Sequence, residues 1–277
     1  MLFGEHHAKS AFMAKPRIIL KRTQAERDAV RNAGRFNAQL MDYVRPHVKA
    51  GVTTGELDRL IHDYTLQHGH RPATLNYKGF SKSCCISVNE VVAHGIPGKY
   101  EIKEGDVVSL DVTTYVDGWI GDQCETFLIG RVSPIAKKVT QCAFDCMYLG
   151  IDAIRPDGVI EDIAFAISRE AYERGFGVVR DLVGHGIGRS FHEEPSVPFF
   201  PTEPRSRDRI EPGMCFTVEP MINTGTYRIK IDKKDKWTVR TLDGGLSAQF
   251  EHSVLVTEDG VEILTTTRDG PQRGHQF

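Results

Sequence analysis

The sequence predicts an α+β fold made of two similar halves, each with a pair of helices followed by strands. One observation is a β-hairpin over residues 107–128, where two runs rich in β-branched residues flank an Asp-Gly pair, the favoured two-residue turn. The other is a set of short landmarks that occurs twice in the same order. Such ordered recurrence indicates duplication of one helix-helix-strand-hairpin unit.

Three landmarks carry the predicted duplication. They are an Arg-Pro pair at 45–46 and 155–156, the triplet His-Gly-Ile at 94–96 and 185–187, and a glycine before a strand carboxylate at 105–111 and 213–219. Chance alignment is the alternative, and the common order of all three argues against it. We expect pseudo-symmetric halves over about residues 16–130 and 131–277, facing each other so that the carboxylates of both meet in the middle.

Helix signals divide the chain further. The first two helices each open on a capping box, at residues 23–26 and 53–56, and the apolar positions of the first nearly follow one stripe that includes Asn37. We expect helices over about residues 23–45, 53–69, 133–155 and 160–174, with short strands in the other stretches.

Composition is typical of an ordinary globular chain. The 277 residues are 40% hydrophobic and 26% charged, which suffices for a substantial core. A net charge of −2 gives no electrostatic reason to bind nucleic acid or an anionic membrane, and the longest apolar runs are only as long as a strand. We therefore expect neither nucleic acid nor a membrane as a partner.

The N-terminal stretch and the cysteines bear on cellular location. Residues 1–15 have scattered small and polar side chains and no apolar run before a cleavage site, so we expect a flexible tail rather than a secretory signal. The six cysteines lack the density of a secreted disulfide scaffold. Both observations favour the reducing cytoplasm.

Two aspartates of the hairpin are placed to share one metal ion. With the turn at residues 117–118, Asp111 and Asp122 lie diagonally on one face, their backbones about 7–8 Å apart. Aspartate is a poor strand former, and two on one face repel unless a cation or a proton lies between them. The alternative is a pair of solvated strand aspartates.

Three residues of the second half match this chemistry. Glu219 ends a predicted strand before a proline, which holds it extended, and Glu251 lies in an apolar strand, where a carboxylate needs a partner. His185 stands in Gly-His-Gly-Ile-Gly, and we expect its glycines to leave room beside the imidazole for a substrate or an ion. Taken singly, each residue has a structural alternative: Glu219 as a surface charge, Glu251 as a paired strand residue and His185 as a histidine at a helix end.

Together these side chains form an oxygen-rich set with one nitrogen. Two aspartates, two glutamates and a histidine suit divalent manganese, iron, cobalt or zinc. Four carboxylates that converge without cations would repel strongly, whereas two divalent ions would neutralise them. The set therefore predicts a metal centre.

Six short motifs occur in a fixed order along nearly the whole chain. They are His-Gly-Ile-Pro at 94–97, Leu-Asp-Val at 110–112, Gly-Asp at 121–122, Gly-His-Gly-Ile-Gly at 184–188, Phe-Thr-Val-Glu-Pro-Met at 216–221 and Phe-Glu-His-Ser at 250–253. This set resembles that of the type I methionine aminopeptidases. The resemblance implies the pita-bread fold: one internally duplicated catalytic domain, here residues 16–277, with a central antiparallel sheet and helices packed on its outer face.

The resemblance also implies an activity, the removal of the initiator methionine from nascent polypeptides with two divalent ions. It makes Asp111 a ligand of one ion and His185 and Glu219 ligands of the other. Asp122 and Glu251 would bridge the two ions.

The resemblance also implies residues that bind the substrate and residues that bind a third, monovalent ion. The resemblance implies that His94 contacts the substrate and that His192 binds the scissile carbonyl oxygen. The implied pocket for the methionine side chain comprises Tyr77, Phe80, Cys85, Phe191 and Trp237. The same resemblance suggests a monovalent-cation site at Asn89, Val91 and Ser247.

The ligand set predicts how the peptide bond breaks. A water shared by two ions gives hydroxide near neutral pH, which attacks the methionyl carbonyl. We expect His192 to stabilise the developing oxyanion and Glu219 to carry the proton to the leaving amine. The expected partners are nascent polypeptide N-termini and, transiently, the ribosome, and the expected state is a cytoplasmic monomer.

Two other functions stay open at this point. One is a prolidase-like or aminopeptidase P-like peptidase, although those families carry a large extra N-terminal domain. The other is a non-catalytic binding protein of the same fold, which would be expected to have lost metal ligands, whereas all five are present.

Overall fold

The computed structural model describes residues 19–205 and 207–277, and the predicted tail over residues 1–15 lies outside them. Four α-helices are described: α1 (Gln24–Val44), α2 (Thr54–Gln67), α3 (Pro134–Asp152) and α4 (Ile160–Glu173). Short 3-10 helices cover Arg45–His47 and Tyr77–Gly79. The four predicted helices are confirmed, and so are the capping boxes at Thr23 and Thr53.

Fifteen strands are described, most of them short. They are β1 (Arg71–Pro72), β2 (Cys85–Val88), β3 (Val91–Ala93), β4 (Val107–Val116), β5 (Trp119–Leu128), β6 (Gly177–Val178), β7 (Gly184–Gly186), β8 (Glu193–Val197), β9 (Cys215–Val218), β10 (Met221–Asn223), β11 (Ile229–Ile231), β12 (Val239–Thr241), β13 (Ser247–Gln249), β14 (Glu251–Val256) and β15 (Val261–Ile263). Strands β4 and β5 form the predicted hairpin.

A nine-stranded sheet forms the centre of the molecule. Its order is β1-β4-β5-β14-β9-β7-β8, with β2 added beside β4 and β15 beside β14. Every pairing in it is antiparallel. The pairing of β5 with β14 joins the strands that precede residue 130 to those that follow it, so acidic residues from both parts of the sequence can meet on one sheet.

The helices pack on this sheet through apolar clusters. Val108, Leu110 and Val112 lie on one face of β4 and pack against apolar residues of α1 and α2. Helices α3 and α4 pack against the strands of the second half in a larger apolar cluster. That arrangement leaves the opposite face of β4, which carries Asp111, free for the site.

Asn37 of α1 lies on the buried stripe as predicted, and it is the polar member of that stripe. Its side chain is fully buried and donates to Val112 O at 2.8 Å and to Gly121 O at 2.9 Å. A Cβ on Gly121 would lie 2.3 Å from Ala33 O, so glycine is needed where α1 touches β5. Helix α1 thereby fixes the hairpin that carries both aspartates.

Two further features concern the cysteines and the helices. All six cysteines are free and buried, which is consistent with packing roles. Among the described residues no helix has both the length and the apolar character needed to cross a membrane.

Candidate active site

The predicted metal ligands lie together at the centre of the large sheet. Potential ligand atoms of Asp122, His185 and Glu251 all lie within 4.8 Å of one another. His185 Nε2 is 3.8 Å from Asp122 Oδ2 and 3.7 Å from Glu219 Oε1. Asp111 lines the same cavity as these four residues. The structure therefore brings all five predicted ligands into one site.

Strand register explains this convergence. Asp111 stands opposite Cys124 on β5, and Cys124 stands opposite Glu251 on β14, so the three form one row across the sheet. Asp122 is two residues from Cys124 and shares its face, because side chains alternate along a strand. The predicted hairpin register is confirmed, since Thr113 pairs with Asp122.

Burial dominates the electrostatics of the carboxylates. Desolvation, followed by neighbouring acidic groups, raises the pKa of Glu251 and of Asp111 well above the usual range, and desolvation likewise raises that of Glu219. The pKa of Asp122 is raised to about 7 by burial, against the hydrogen bond donated by Thr113, 2.7 Å from its Oδ1.

This donor set fits divalent metal ions. Among the described residues, the only lysine or arginine that lines the cavity is Lys78, which is exposed. The clustered carboxylates consequently have no buried cationic side chain to neutralise them, and hard or borderline divalent ions would supply that charge.

His185 is prepared to act as a ligand through Nε2. Its Nδ1 lies 3.1 Å from Gly186 O, and because a carbonyl only accepts, Nδ1 carries the proton. Burial lowers the pKa of His185 to about 4, so the ring is neutral at physiological pH and Nε2 offers a lone pair toward the carboxylates.

Two polar residues that we did not predict hold Glu219. Thr217 Oγ1 donates to Glu219 Oε1 at 2.7 Å and accepts from His185 N at 3.0 Å. Gln249 Nε2 donates to Glu219 Oε2 at 3.2 Å. The contact from Thr217 could have been predicted, because residues two apart on a strand share one face. The contact from Gln249 could not, because it depends on how the strands assemble.

The glycines around His185 do not leave space for a ligand, and this expectation was wrong. A Cβ on Gly186 would lie 2.2 Å from Glu194 O, and one on Gly184 would lie 2.6 Å from Thr217 O. One on Gly188 would lie 1.9 Å from Arg22 Nη2. Neighbouring protein atoms fill these spaces, so the glycines allow the chain to pack closely rather than admit substrate.

A cavity of about 330 Å³ adjoins the carboxylates. All the predicted substrate residues line it: Tyr77, Phe80, Cys85, His94, Phe191, His192 and Trp237. The rings of Phe80 and Trp237 meet edge to face with centroids 5.2 Å apart. The volume is at the small end of ligand pockets, as suits a single side chain.

His192 and His94 lie on the wall of this cavity. Tyr77 Oη lies 2.9 Å from His192 Nδ1. Burial first, and then His185, Lys78 and His94, lower the pKa of His192 to about 3, while burial lowers that of His94. Both imidazoles are therefore neutral near pH 7 and can hydrogen-bond a substrate without adding charge.

Of the three residues of the suggested monovalent-cation site, Asn89 and Ser247 contact each other directly. Ser247 N donates to Asn89 O at 2.9 Å, and the buried Ser247 Oγ has no hydrogen-bond partner among the residues that the structure describes. Val91 begins β3, two residues after Asn89.

Buried carboxylates and three histidines around a largely apolar cavity are typical of a metal-dependent enzyme. The model of metallopeptidase family M24 matches residues 28–258. A methionine aminopeptidase A of Synechocystis sp. is 47% identical over 249 residues, which cover 89% of this chain and 96% of that relative. The chain therefore belongs to metallopeptidase family M24, within its methionine aminopeptidases, and family membership implies divalent metal ions.

Solved structures agree with the predicted pita-bread fold. The crystal structure of methionine aminopeptidase from Rickettsia prowazekii is 44% identical, with a TM-score of 0.87 over 90% of this chain and 100% of that one. An Xaa-Pro dipeptidase from Bacillus anthracis shares the fold with a TM-score of 0.74 at 21% identity, covering 92% of this chain but only 63% of that one. The predicted fold and family are confirmed.

Proposed function

We propose that this chain removes the N-terminal methionine from nascent polypeptides, using two divalent ions held by the carboxylate–histidine cluster. The observation that carries the proposal is the convergence of Asp122, His185 and Glu251 beside an aromatic cavity sized for one side chain. The methionine aminopeptidase relatives match over nearly their whole length, which supports the same substrate class.

Each of the five ligands has a proposed place. Asp111 would hold one ion, and His185 and Glu219 would hold the other. Asp122 and Glu251 would contribute to the binding of both. Cobalt, manganese, iron or zinc fits this set of oxygens with one nitrogen. When bound, such ions acidify water and polarise the scissile carbonyl.

The side chains of this chain supply the remaining steps. We assign the donor role in the 2.9 Å contact between Tyr77 Oη and His192 Nδ1 to the tyrosine hydroxyl. Nε2 of His192 then carries the proton and donates it in a hydrogen bond to the scissile carbonyl oxygen as negative charge develops there. Glu219 would take the proton from the attacking water and pass it to the leaving amine. His94, on the same wall as Trp237, contacts the substrate.

The aromatic part of the cavity accounts for a preference for methionine. Tyr77, Phe80, Phe191 and Trp237 surround it together with Cys85. A flexible thioether chain fills irregular apolar space well and makes favourable contacts with aromatic rings. A bulkier or charged first residue would lose these contacts or bury a charge.

The remaining expectations are part of the proposal. Asn89, Val91 and Ser247 would hold one monovalent cation, and the unpaired hydroxyl of Ser247 supports a polar occupant there. We propose a cytoplasmic monomer that meets nascent N-termini at the ribosome transiently and does not bind nucleic acid.

Hydrolysis of four matched peptides tests the function. With manganese, cobalt, iron or zinc present, we expect release of methionine from Met-Ala-Ser and no cleavage of acetyl-Met-Ala-Ser, because the site takes a free amino end. Pro-Ala-Ser and Ala-Pro-Ser should stay intact. Cleavage of a proline peptide in preference to Met-Ala-Ser would assign the chain to the proline-specific peptidases, and failure to cleave any peptide would favour the binding-protein alternative.

A further inference from the structure

Arg22 reaches the edge of the site from a distant part of the chain. It precedes α1, yet its side chain is only 6% exposed and forms an ion pair with Glu193, which is 10% exposed. Its Nη2 also donates to Ile187 O at 3.1 Å. One guanidinium thus holds both ends of residues 187–193, the loop that contains His192.

The loop is built around this guanidinium. Gly188 has no Cβ, and a Cβ there would lie 1.9 Å from Arg22 Nη2 and 2.5 Å from its Cζ. Glu193 Oε1 accepts from Ser190 N at 3.0 Å, so the carboxylate that binds Arg22 also closes the loop on itself. Any other residue at 188 would displace Arg22 or the loop.

The backbone of Arg22 is fixed as well. Arg22 N donates to Gly213 O at 2.7 Å, and Arg27 Nε donates to Arg22 O at 3.1 Å. The guanidinium lies 5.5 Å from the ring centre of Trp119, the first residue of β5. The arginine that holds the loop therefore also packs near β5, the strand that carries Asp122.

His192 lies between two fixed points. On one side Tyr77 Oη is 2.9 Å from its Nδ1, and on the other its chain neighbour Glu193 is tied to Arg22. Neither contact occupies Nε2, the atom to which the proposed function assigns the scissile carbonyl oxygen. A misplacement of about 1 Å of such a group can cost up to about 100-fold in rate.

We infer that Arg22, acting through Glu193, is a positioning residue that fixes the imidazole of His192 for catalysis. This inference rests on the proposed function only for the role of His192. The structural alternative is that Arg22 merely attaches the segment before α1 to the domain, in which case its loss would lower stability but would not act through His192.

A double-mutant cycle separates the two roles. We expect Arg22→Met to lower kcat for Met-Ala-Ser by about tenfold with KM nearly unchanged, because orientation rather than binding is lost. In a His192→Ala background the same change should lower kcat less than about twofold, since the group being positioned is gone. Arg22→Lys should restore most of the activity. Equal losses of kcat in both backgrounds, or no loss in either, would overturn the inference.

A control and a second variant guard against general unfolding. Arg31→Met removes the ion pairs that an arginine of α1 forms with Glu262 and Asp28, away from the loop, and should leave kcat unchanged. Glu193→Gln removes the charge but retains the shape, so it should reproduce the loss and its dependence on His192 if Arg22→Met fails to fold.

A readout independent of activity distinguishes failure of the inference from failure of the proposed function. In protein with ¹³C-labelled histidine, the His192 Cε1 signal, identified by its absence in His192→Ala, should shift or broaden in Arg22→Met and not in Arg31→Met. An unmoved signal would overturn the inference even if methionine is released. A shifted or broadened His192 signal without any methionine release would support the positioning role of Arg22 and contradict the proposed function.

Discussion

Replacing Glu251 with glutamine is expected to lower kcat for Met-Ala-Ser by about 10²–10³-fold. Glu251 lies in the cluster with Asp122 and His185, and glutamine keeps its size but loses the charge and one acceptor. Steady-state kinetics with saturating manganese measures the effect. The fold should survive, because glutamine replaces a buried carboxyl whose charged form is disfavoured by burial and by its acidic neighbours.

The same substitution should raise the melting temperature of the metal-free chain, and this gain in stability together with the loss of activity is specific to a metal centre. Without metal, Glu251→Gln should melt at a higher temperature than the wild type, while the stabilisation gained on adding manganese should shrink. Glu262→Gln, on β15, serves as the control: it should lower the melting temperature slightly, because it weakens the ion pair with Arg31, and should leave the stabilisation by manganese unchanged. Full activity of Glu251→Gln would contradict the assignment of Glu251 as a ligand.

The metal-free chain is expected to lose stability as pH rises from 6.5 to 8. Asp122, with a pKa of about 7, and Glu219 and Glu251, with pKa values raised well above the usual range, keep protons in the folded state that the unfolded chain has released. Folding then binds protons, so the free energy of unfolding falls with pH. Histidines with lowered pKa values oppose this trend only below about pH 6.5, where the unfolded chain takes up protons.

Melting temperatures of the chelator-treated chain measure this effect. We expect a decrease on the order of 10 °C between pH 6.5 and 8. Adding manganese should reverse the slope, because the ligands must be deprotonated to bind it. Asp122→Asn should flatten the slope of the metal-free chain. A melting temperature that rises with pH in the metal-free wild type would contradict the buried, cation-free cluster.

Much of the fold could be predicted because its signals are local. Capping boxes at Thr23 and Thr53 gave the helix starts, and the Asp-Gly turn at 117–118 gave the register that places Asp111 and Asp122 on one face. Alternation along a strand is enough to set a face once the turn is known.

Features that depend on tertiary assembly could not be predicted. Asn37 fits a helical stripe in sequence, and only the approach of α1 to β4 and β5 shows that its amide bonds their backbones. Gly188 was assigned room for a ligand because the sequence does not show that Arg22 fills that space. The division into pseudo-symmetric halves stays a prediction.

The most direct test of the account is a manganese titration of the metal-stripped chain, followed by methionine release from Met-Ala-Ser. We predict no release without the ion and a plateau by two ions per chain, with Glu251→Gln at least about 100-fold slower than the wild type throughout. Release that persists without metal, or no release at any manganese concentration, would contradict the account.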